Sequence, residues 1–206
     1  SLASARLGGR VPLKVTHLLS YRCNVECDFC TRIHIPSGHM READVLSMMD
    51  AFAGMGTRWW VFNGGEPTLI KPLGRYIQRG KQLGMNLSMV TNGTFIERRI
   101  DELESLDLVI CSIHGDREEH DRIVQHPGAY DTAIAGLKLL RERGVDVCLM
   151  VVLNERNIPL MERMLELGEQ LAERHEIALR SDDIISEQQN REKIKSKFVY
   201  IISCGF

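Results

Sequence analysis

Three cysteines lie close together near the start of the chain, in the stretch CNVECDFC at residues 23–30. Thiolates spaced as C-x3-C-x2-C can bind a metal from a single loop, although they can also be halves of disulfides. A zinc site needs four ligands, and the nearest candidates for the fourth are His34 and His39. An iron–sulfur cluster is also held by cysteine thiolates, normally four. Three thiolates would leave one iron open to a substrate or cofactor, as catalytic metal sites do.

Further along, three short polar or glycine-rich stretches follow apolar runs: GGEP at 64–67, TNG at 91–93 and SIHG at 112–115. Glycines let the backbone approach a ligand closely because they have no Cβ. A carboxylate accepts hydrogen bonds from a cation, a serine hydroxyl both donates and accepts, and proline fixes a turn. The TNG stretch is also an ordinary turn signal.

The elements that must position these residues alternate between strands and helices. Strands are predicted at 14–21, 58–63, 86–91, 107–115 and 145–153, and helices at 41–56, 69–84, 96–106, 129–144 and 158–175. Near-continuous apolar strands indicate a parallel sheet covered by helices. Right-handed crossovers curl such a sheet into a barrel or part of one, with the chemistry at the C-terminal ends of the strands. The cysteines and the three polar stretches are therefore expected at one rim.

Composition sets the broad class. The chain has 206 residues, 44% hydrophobic and 26% charged, with a net charge of −2. No basic stripe favours nucleic acid, no apolar run reaches the roughly 18 residues of a membrane span, and the N-terminus has no signal-peptide core. Cys111, Cys148 and Cys204 are widely spaced, unlike the cysteines of a disulfide-built secreted domain. We expect a cytoplasmic protein in which Cys111 and Cys148 behave as small buried hydrophobes.

Taken in order, these motifs resemble those of the radical S-adenosylmethionine (SAM) superfamily. The resemblance rests on C-x3-C-x2-C with Phe29 before the last cysteine, then GGEP, TNG and a serine that ends a strand, over about residues 13–157. It implies an α/β fold, a partial (β/α)6 TIM-like barrel of parallel strands. It also implies a 4Fe–4S cluster on Cys23, Cys27 and Cys30, with SAM chelating the open iron.

The resemblance further implies which residues surround SAM. The implied contacts are the backbone of Phe29 near the adenine, Gly64, Gly65, Glu66 and Pro67 around the methionyl ammonium, Asn92 in the pocket lining, Ser112 at the ribose or carboxylate, Arg122 at the carboxylate, and Val152 and Leu153 bordering the adenine. Arg122 falls in the segment where relatives carry a short extra helix after strand four. We expect His120 and Asp121 to cap that helix.

The implied activity is that of an oxidoreductase. A radical SAM enzyme cleaves SAM reductively to a 5′-deoxyadenosyl radical, which abstracts hydrogen from a substrate. The motifs resemble the core domain of SPASM or twitch members, which favours maturation of ribosomal peptides (RiPPs) or cofactors. The alternative is modification of a small molecule or nucleotide in natural-product biosynthesis. The expected partners are an electron donor such as flavodoxin or ferredoxin and a peptide or small-molecule substrate, without a membrane.

Two further alternatives concern the metal and the ends of the chain. A zinc-binding or electron-relay module without SAM chemistry would make Glu66 and Ser112 incidental. The predicted organisation is an N-terminal extension at 1–12, a barrel at 13–180 with a short sixth strand at 176–180, and a C-terminal helix and strand at 181–206. This last segment is either the start of a truncated auxiliary-cluster domain, to which Cys204 and one or two auxiliary iron–sulfur clusters would belong, or a segment in which Cys204 is a lone structural thiol.

Overall fold

The computed structural model describes residues 12–31, 35–172 and 199–202. Its strands are β1 Lys14–Leu18, β2 Trp59–Asn63, β3 Asn86–Thr91, β4 Leu108–Ser112, β5 Asp146–Val152 and β6 Val199–Ile202. They form one parallel sheet in chain order. Within the described residues the sheet is open, because β1 and β6 are its edges. The predicted partial barrel of parallel strands is confirmed.

Helices connect the strands on the outside of the sheet. They are α1 Glu42–Met55, α2 Leu73–Gln82, α3 Ile100–Leu103, α4 Arg117–Val124, α5 Ala129–Glu142 and α6 Met161–Ala172, with 3-10 turns at Pro67–Leu69, Glu97–Arg99 and Ile158–Leu160. The helix predicted over 69–84 begins only at Leu73, since Pro72 lacks the N–H of a helix interior and forms the N-cap instead. None of the described helices is long and apolar enough to cross a membrane.

The core lies between the sheet and these helices. Trp60, Phe62, Leu87 and Met89 are fully buried on the central strands, and burial of each large apolar side chain contributes about 1.5–3 kcal/mol. Cys111 and Cys148 are buried in β4 and β5, as predicted. The apolar strands therefore form a rigid base for the loops at their C-terminal ends.

The sixth strand differs from expectation. The sequence placed a strand at 176–180, which lies outside the described residues, and assigned the strand at 199–206 to a segment beyond the barrel. In the structure Val199–Ile202 pairs in parallel with Leu149–Val152 of β5 and so lies in the barrel sheet. The sequence of this strand, VYII, is a run of apolar residues that favour strands, as is typical of a parallel sheet. The boundary at residue 180, the extension at 1–12 and the auxiliary-cluster role of Cys204 stay predictions.

Candidate active site

The cysteine loop follows β1 and is fastened to the C-terminal end of α4. Two loop amides donate to the last carbonyls of that helix, Asp28 N to Ile123 O at 2.9 Å and Glu26 N to Val124 O at 3.1 Å. The loop therefore satisfies carbonyl groups that a helix end leaves without a partner. Gln125, in the left-handed conformation with φ of 53°, ends the helix, and its side-chain amide donates to Glu26 O. The short helix holds the cysteines in place.

The three thiols lie around one cavity at this rim. Cys23, Cys27 and Cys30 are all unpaired, partly exposed and part of the cavity lining. Burial, together with the neighbouring Cys23 and Cys30, raises the pKa of Cys27 to about 12. Thiolates packed this closely need a bound cation to offset their mutual repulsion. The donor set therefore fits an iron–sulfur cluster at this position.

The arrangement of the thiols also bears on the zinc alternative. Over residues 12–31, 35–172 and 199–202, no three His, Cys, Asp or Glu side chains converge as a single metal ion requires. In a cubane each thiolate binds a different iron, so the sulfurs need not converge on one point. Of the two proposed fourth ligands for zinc, His34 lies outside the described residues and His39 is exposed.

The two glycines after β2 are required by the backbone of the cysteine loop. A Cβ on Gly65 would lie 2.2 Å from Arg22 O, and a Cβ on Gly64 would lie 2.3 Å from Ser20 O. Gly64 also has a φ of +138°, which disfavours other residues. Hydrogen bonds from Gly65 N to Ser20 O and from Glu66 N to Arg22 O join the two loops. The absence of side chains here thus sets the path of the chain into Cys23.

Glu66 is buried, with 1% of its surface exposed, and its carboxylate is bound within the protein. Oε1 accepts from Thr68 N, Thr68 Oγ1 and Thr91 Oγ1 at 3.0, 2.6 and 2.7 Å, and Oε2 accepts from Asn92 N at 2.7 Å. Burial raises the pKa of Glu66 while these donors oppose the rise. Four donors around two oxygens suit the ionised carboxylate. Its side chain therefore joins the end of β3 to the turn after β2.

A pair of buried histidines follows β4. His114 N donates to His120 Nδ1 at 3.1 Å, and Val152 N donates to His114 Nδ1 at 3.3 Å. Since a nitrogen that accepts from an N–H carries no proton, each imidazole is neutral with its proton on Nε2. The edge of the His114 ring meets the ring of Phe29 at a centroid distance of 4.9 Å. His114 thus borders the cavity beside the cysteine loop.

We predict that these histidines make the fold sensitive to acid. Burial lowers the pKa of His114 to about 3 and that of His120 to about 4, from an ordinary 6.5. Below that ordinary value the unfolded chain binds protons that the folded protein does not bind until much lower pH. Between about pH 6.5 and about pH 5.5 the free energy of unfolding should fall by about 1 kcal/mol for each histidine. Urea unfolding of the apoprotein across this range measures the loss.

Two variants provide the comparison for this pH dependence. His120→Gln keeps an acceptor for His114 N and removes one titrating ring, so the loss on acidification should shrink by about 1 kcal/mol. His126→Gln changes an exposed histidine and should stay within about 0.5 kcal/mol of wild type. An unaltered slope in His120→Gln would contradict the prediction.

Nine of the residues predicted for the site line a single cavity. They are Cys23, Cys27, Phe29, Cys30, Gly64, Gly65, Asn92, Ser112 and Val152. They come from the loops after β1 and β2 and from the C-terminal ends of β3, β4 and β5. The structure thus brings together, at the expected rim, residues up to about 130 positions apart in the chain.

Four other predicted residues do not line this cavity. Glu66 and Pro67 are buried and outside its lining, and Leu153 packs against the core. Arg122 is directed to carboxylates of its own helix, at 2.8 Å from Glu118 and 2.5 Å from Glu119. The helix α4 that carries Arg122 is capped by Asp116, not by His120 or Asp121. Asp121 instead accepts from Gly128 N and Tyr130 N at the start of α5.

The cavity also contains residues to which the sequence gave no role, chiefly His114, Met150 and Tyr21. A signal for two of them was available. Side chains two positions apart share a face of a strand, so His114 lies on the side of Ser112 and Met150 on the side of Val152. Tyr21 lies in the loop after β1. No pattern of apolar residues in the sequence indicated that its side chain would line the cavity.

Comparisons with known proteins show the family. The family model for the radical SAM superfamily matches residues 18–168. The Fe-coproporphyrin III synthase of Methanosarcina barkeri is 29% identical over 158 residues, covering 74% of this chain and 40% of that protein. The PqqA peptide cyclase of Granulibacter bethesdensis is 27% identical over 175 residues, covering 81% of this chain and 47% of that protein. The chain thus spans less than half of these relatives' length.

A solved structure gives the same fold. Streptococcus suis SuiB bound to S-adenosylmethionine superimposes with a TM-score of 0.74 at 14% identity, covering 95% of this chain and 51% of SuiB. SuiB bound to its precursor peptide SuiA superimposes with a TM-score of 0.71 at 15% identity, covering 83% of this chain and 40% of SuiB. At such low identity the likeness concerns the fold alone.

Proposed function

Because this chain belongs to the radical SAM superfamily, whose cofactors are a 4Fe–4S cluster and SAM, we propose that it generates a 5′-deoxyadenosyl radical to modify a peptide. The observation that carries the proposal is the set of three unpaired thiols facing one cavity with the glycine loop and the ends of β3 to β5. The deoxyadenosyl chemistry belongs to the cofactors, and the protein supplies binding, orientation and exclusion of water.

Cys23, Cys27 and Cys30 would hold the cluster, leaving one iron for the amino and carboxylate groups of SAM. When bound, the reduced cluster would supply one electron for cleavage of a C–S bond at the sulfonium of SAM, giving methionine and the deoxyadenosyl radical. The loop's attachment to α4 holds the three sulfurs in place for this role. Burial and neighbouring thiols raise the pKa of Cys27, so its thiolate depends on the iron's positive charge.

The rest of the cavity would orient SAM. Backbone carbonyls at Gly64 and Gly65 suit an ammonium, and the missing Cβ atoms permit close approach. Ser112 provides a hydroxyl at the end of β4, and Phe29 and Val152 provide apolar surface for the adenine. His114, with its proton on Nε2, adds a donor beside them. Glu66 acts beneath this surface by holding Asn92 and Thr68.

A peptide is the proposed substrate class. The PqqA peptide cyclase carries a peptide in its name, and SuiB was solved with a precursor peptide, which supports a peptide modification. A small molecule is the second candidate, supported by the Fe-coproporphyrin III synthase among the relatives. In either case the electron donor would be a flavodoxin or ferredoxin of the cytoplasm, since the reaction requires single electrons at low potential.

The test is anaerobic reconstitution with iron and sulfide, followed by dithionite and SAM. We expect absorbance near 400 nm and release of 5′-deoxyadenosine and methionine in equal amounts, measured by chromatography. Addition of candidate peptides should increase the rate, and a deuterated peptide should transfer deuterium to the deoxyadenosine. A protein that instead retains zinc and forms no cluster would contradict the proposal. Cluster formation without cleavage, with or without peptide, would support an electron-relay module.

A further inference from the structure

The side-chain amide of Asn92 has its orientation fixed by Thr94. Asn92 Oδ1 accepts from Thr94 N at 3.0 Å and from Thr94 Oγ1 at 2.7 Å. A backbone N–H can only donate, so the amide atom that it meets must be the oxygen. The NH2 group of Asn92 therefore faces the other way, towards the cysteine loop.

The two hydrogens of this NH2 group have different acceptors. Nδ2 of Asn92 lies 3.0 Å from Asn24 Oδ1 and 3.7 Å from Cys23 Sγ. Asn24 Nδ2 in turn donates to Thr94 Oγ1 at 2.8 Å, which closes a ring of side chains around the amide. From the opposite side, Glu66 holds the backbone N–H of Asn92. The donor therefore points at the sulfur without freedom to turn away.

We propose that Asn92 raises the reduction potential of the cluster by donating a hydrogen bond to the thiolate of Cys23. The inference rests on the proposed function, because it requires a cluster on Cys23. Reduction adds negative charge to the cluster and its sulfur ligands, so a donor aimed at one sulfur stabilises the reduced state more than the oxidised state. Hydrogen bonds to the sulfurs are among the factors that set the potentials of such clusters. Asn92 is thus a positioning residue that eases the entry of the electron.

Glu66 acts in the opposite sense on the same sulfur. Burial raises the pKa of Cys23, and the negative charge of Glu66 adds to that rise. A carboxylate at this place disfavours added electrons, and Glu66 is nevertheless needed to hold the backbone of Asn92. The amide of Asn92, whose Nδ2 lies 3.7 Å from the sulfur, offsets part of this effect.

The experiment is a potentiometric titration of the reconstituted protein without SAM, followed by EPR of the reduced cluster. Asn92→Ala removes the donor, and we expect the equilibrium constant for reduction to fall by roughly tenfold, which for a one-electron couple is about 59 mV to more negative potential. In Asn92→Asp the reduction potential should be more negative still, because a carboxylate oxygen then faces the thiolate. Asn24→Ala is the matched control, since it removes a neighbour in the ring but keeps the bond to sulfur.

Each outcome decides the proposal. Equal potentials for wild type and Asn92→Ala, or an equal fall in Asn24→Ala, would overturn it. If Asn92→Ala fails to hold a cluster, a second experiment replaces the titration. The wild-type protein is prepared with asparagine labelled with nitrogen-15 in the side-chain amide and is measured by pulsed EPR. A hyperfine coupling from that nitrogen is expected, and its absence would overturn the proposal. Since the titration omits SAM, it tests Asn92 even where SAM cleavage fails.

Discussion

Replacing Cys27 with alanine is expected to abolish both the cluster and the formation of 5′-deoxyadenosine. Cys27 is the second of the three cysteines along the chain, and the neighbouring Cys23 and Cys30 contribute to the rise of its pKa. Without it two thiolates remain, too few for a cluster that normally has four protein ligands. Mutation of a residue that only hydrogen-bonds to a metal ligand already lowers metal affinity or activity by about 10–100-fold. Loss of a ligand itself should lower them more. Iron content, absorbance near 400 nm and chromatography of the products measure the result.

Cys148→Ala is the matched control for this prediction. Cys148 is buried within β5 and away from the cavity lining, so its removal should cost about 1 kcal/mol of stability and leave the iron content unchanged. The two variants lose the same atom type, one at the rim and one in the core. A Cys27→Ala protein that still forms deoxyadenosine at the wild-type rate would disprove the role of the cysteine loop.

Sequence alone predicted the central features of the fold. The strand predicted at 86–91 is β3 to the residue, because its apolar run ends sharply at a turn signal. The five strand–helix units and their parallel order follow from the same alternation of apolar runs and helical stretches. The cysteine, glycine and serine motifs then share a rim, since parallel strands place their C-terminal ends on one side.

The direction of individual side chains was less predictable. A glutamate in a glycine-rich loop has the chemistry to bind an ammonium, yet Glu66 is directed to Thr68, Thr91 and Asn92. Those donors come from two different strand ends, and their convergence is a property of the packed sheet. Arg122 has carboxylates three and four positions before it on α4, a spacing that pairs charges on a helix. The sequence therefore already contained the spacing for this local ion pairing. The prediction nevertheless assigned Arg122 to SAM, because the resemblance to the family suggested that contact.

Pairing between segments that are distant in the chain could also not be predicted from the sequence. The strand at Val199–Ile202 joins β5, although it was expected beyond the barrel. A short apolar strand can pair with the edge of any parallel sheet, and its sequence alone does not determine which strand it pairs with. The glycines of the GGEP stretch show the same limit, because the contact that requires them is the backbone of Ser20 and Arg22.

Replacing Glu66 with alanine is expected to destabilise the fold by about 2–6 kcal/mol. Two of its four donors are the backbone groups Thr68 N and Asn92 N, which cannot rotate towards another acceptor. A buried donor left without a partner costs about 1–3 kcal/mol. The hydroxyls of Thr68 and Thr91 can turn and should add less. Urea unfolding of the apoprotein measures the change in the free energy of unfolding.

Glu66→Gln separates the charge from the size of the side chain. Glutamine keeps the volume, but its NH2 group must face either Thr68 N or Asn92 N, so one donor meets another donor. We expect a cost of about 1–3 kcal/mol, smaller than in Glu66→Ala. Glu97→Gln, at an exposed glutamate, should remain within about 0.5 kcal/mol of wild type. Wild-type stability in Glu66→Gln would mean that the carboxylate is protonated in the folded protein and already donates a hydrogen bond. A stable Glu66→Ala protein would mean that the carboxylate does not hold the ends of β2 and β3 together, and the path from Glu66 through Asn92 to Cys23 would then lose its support.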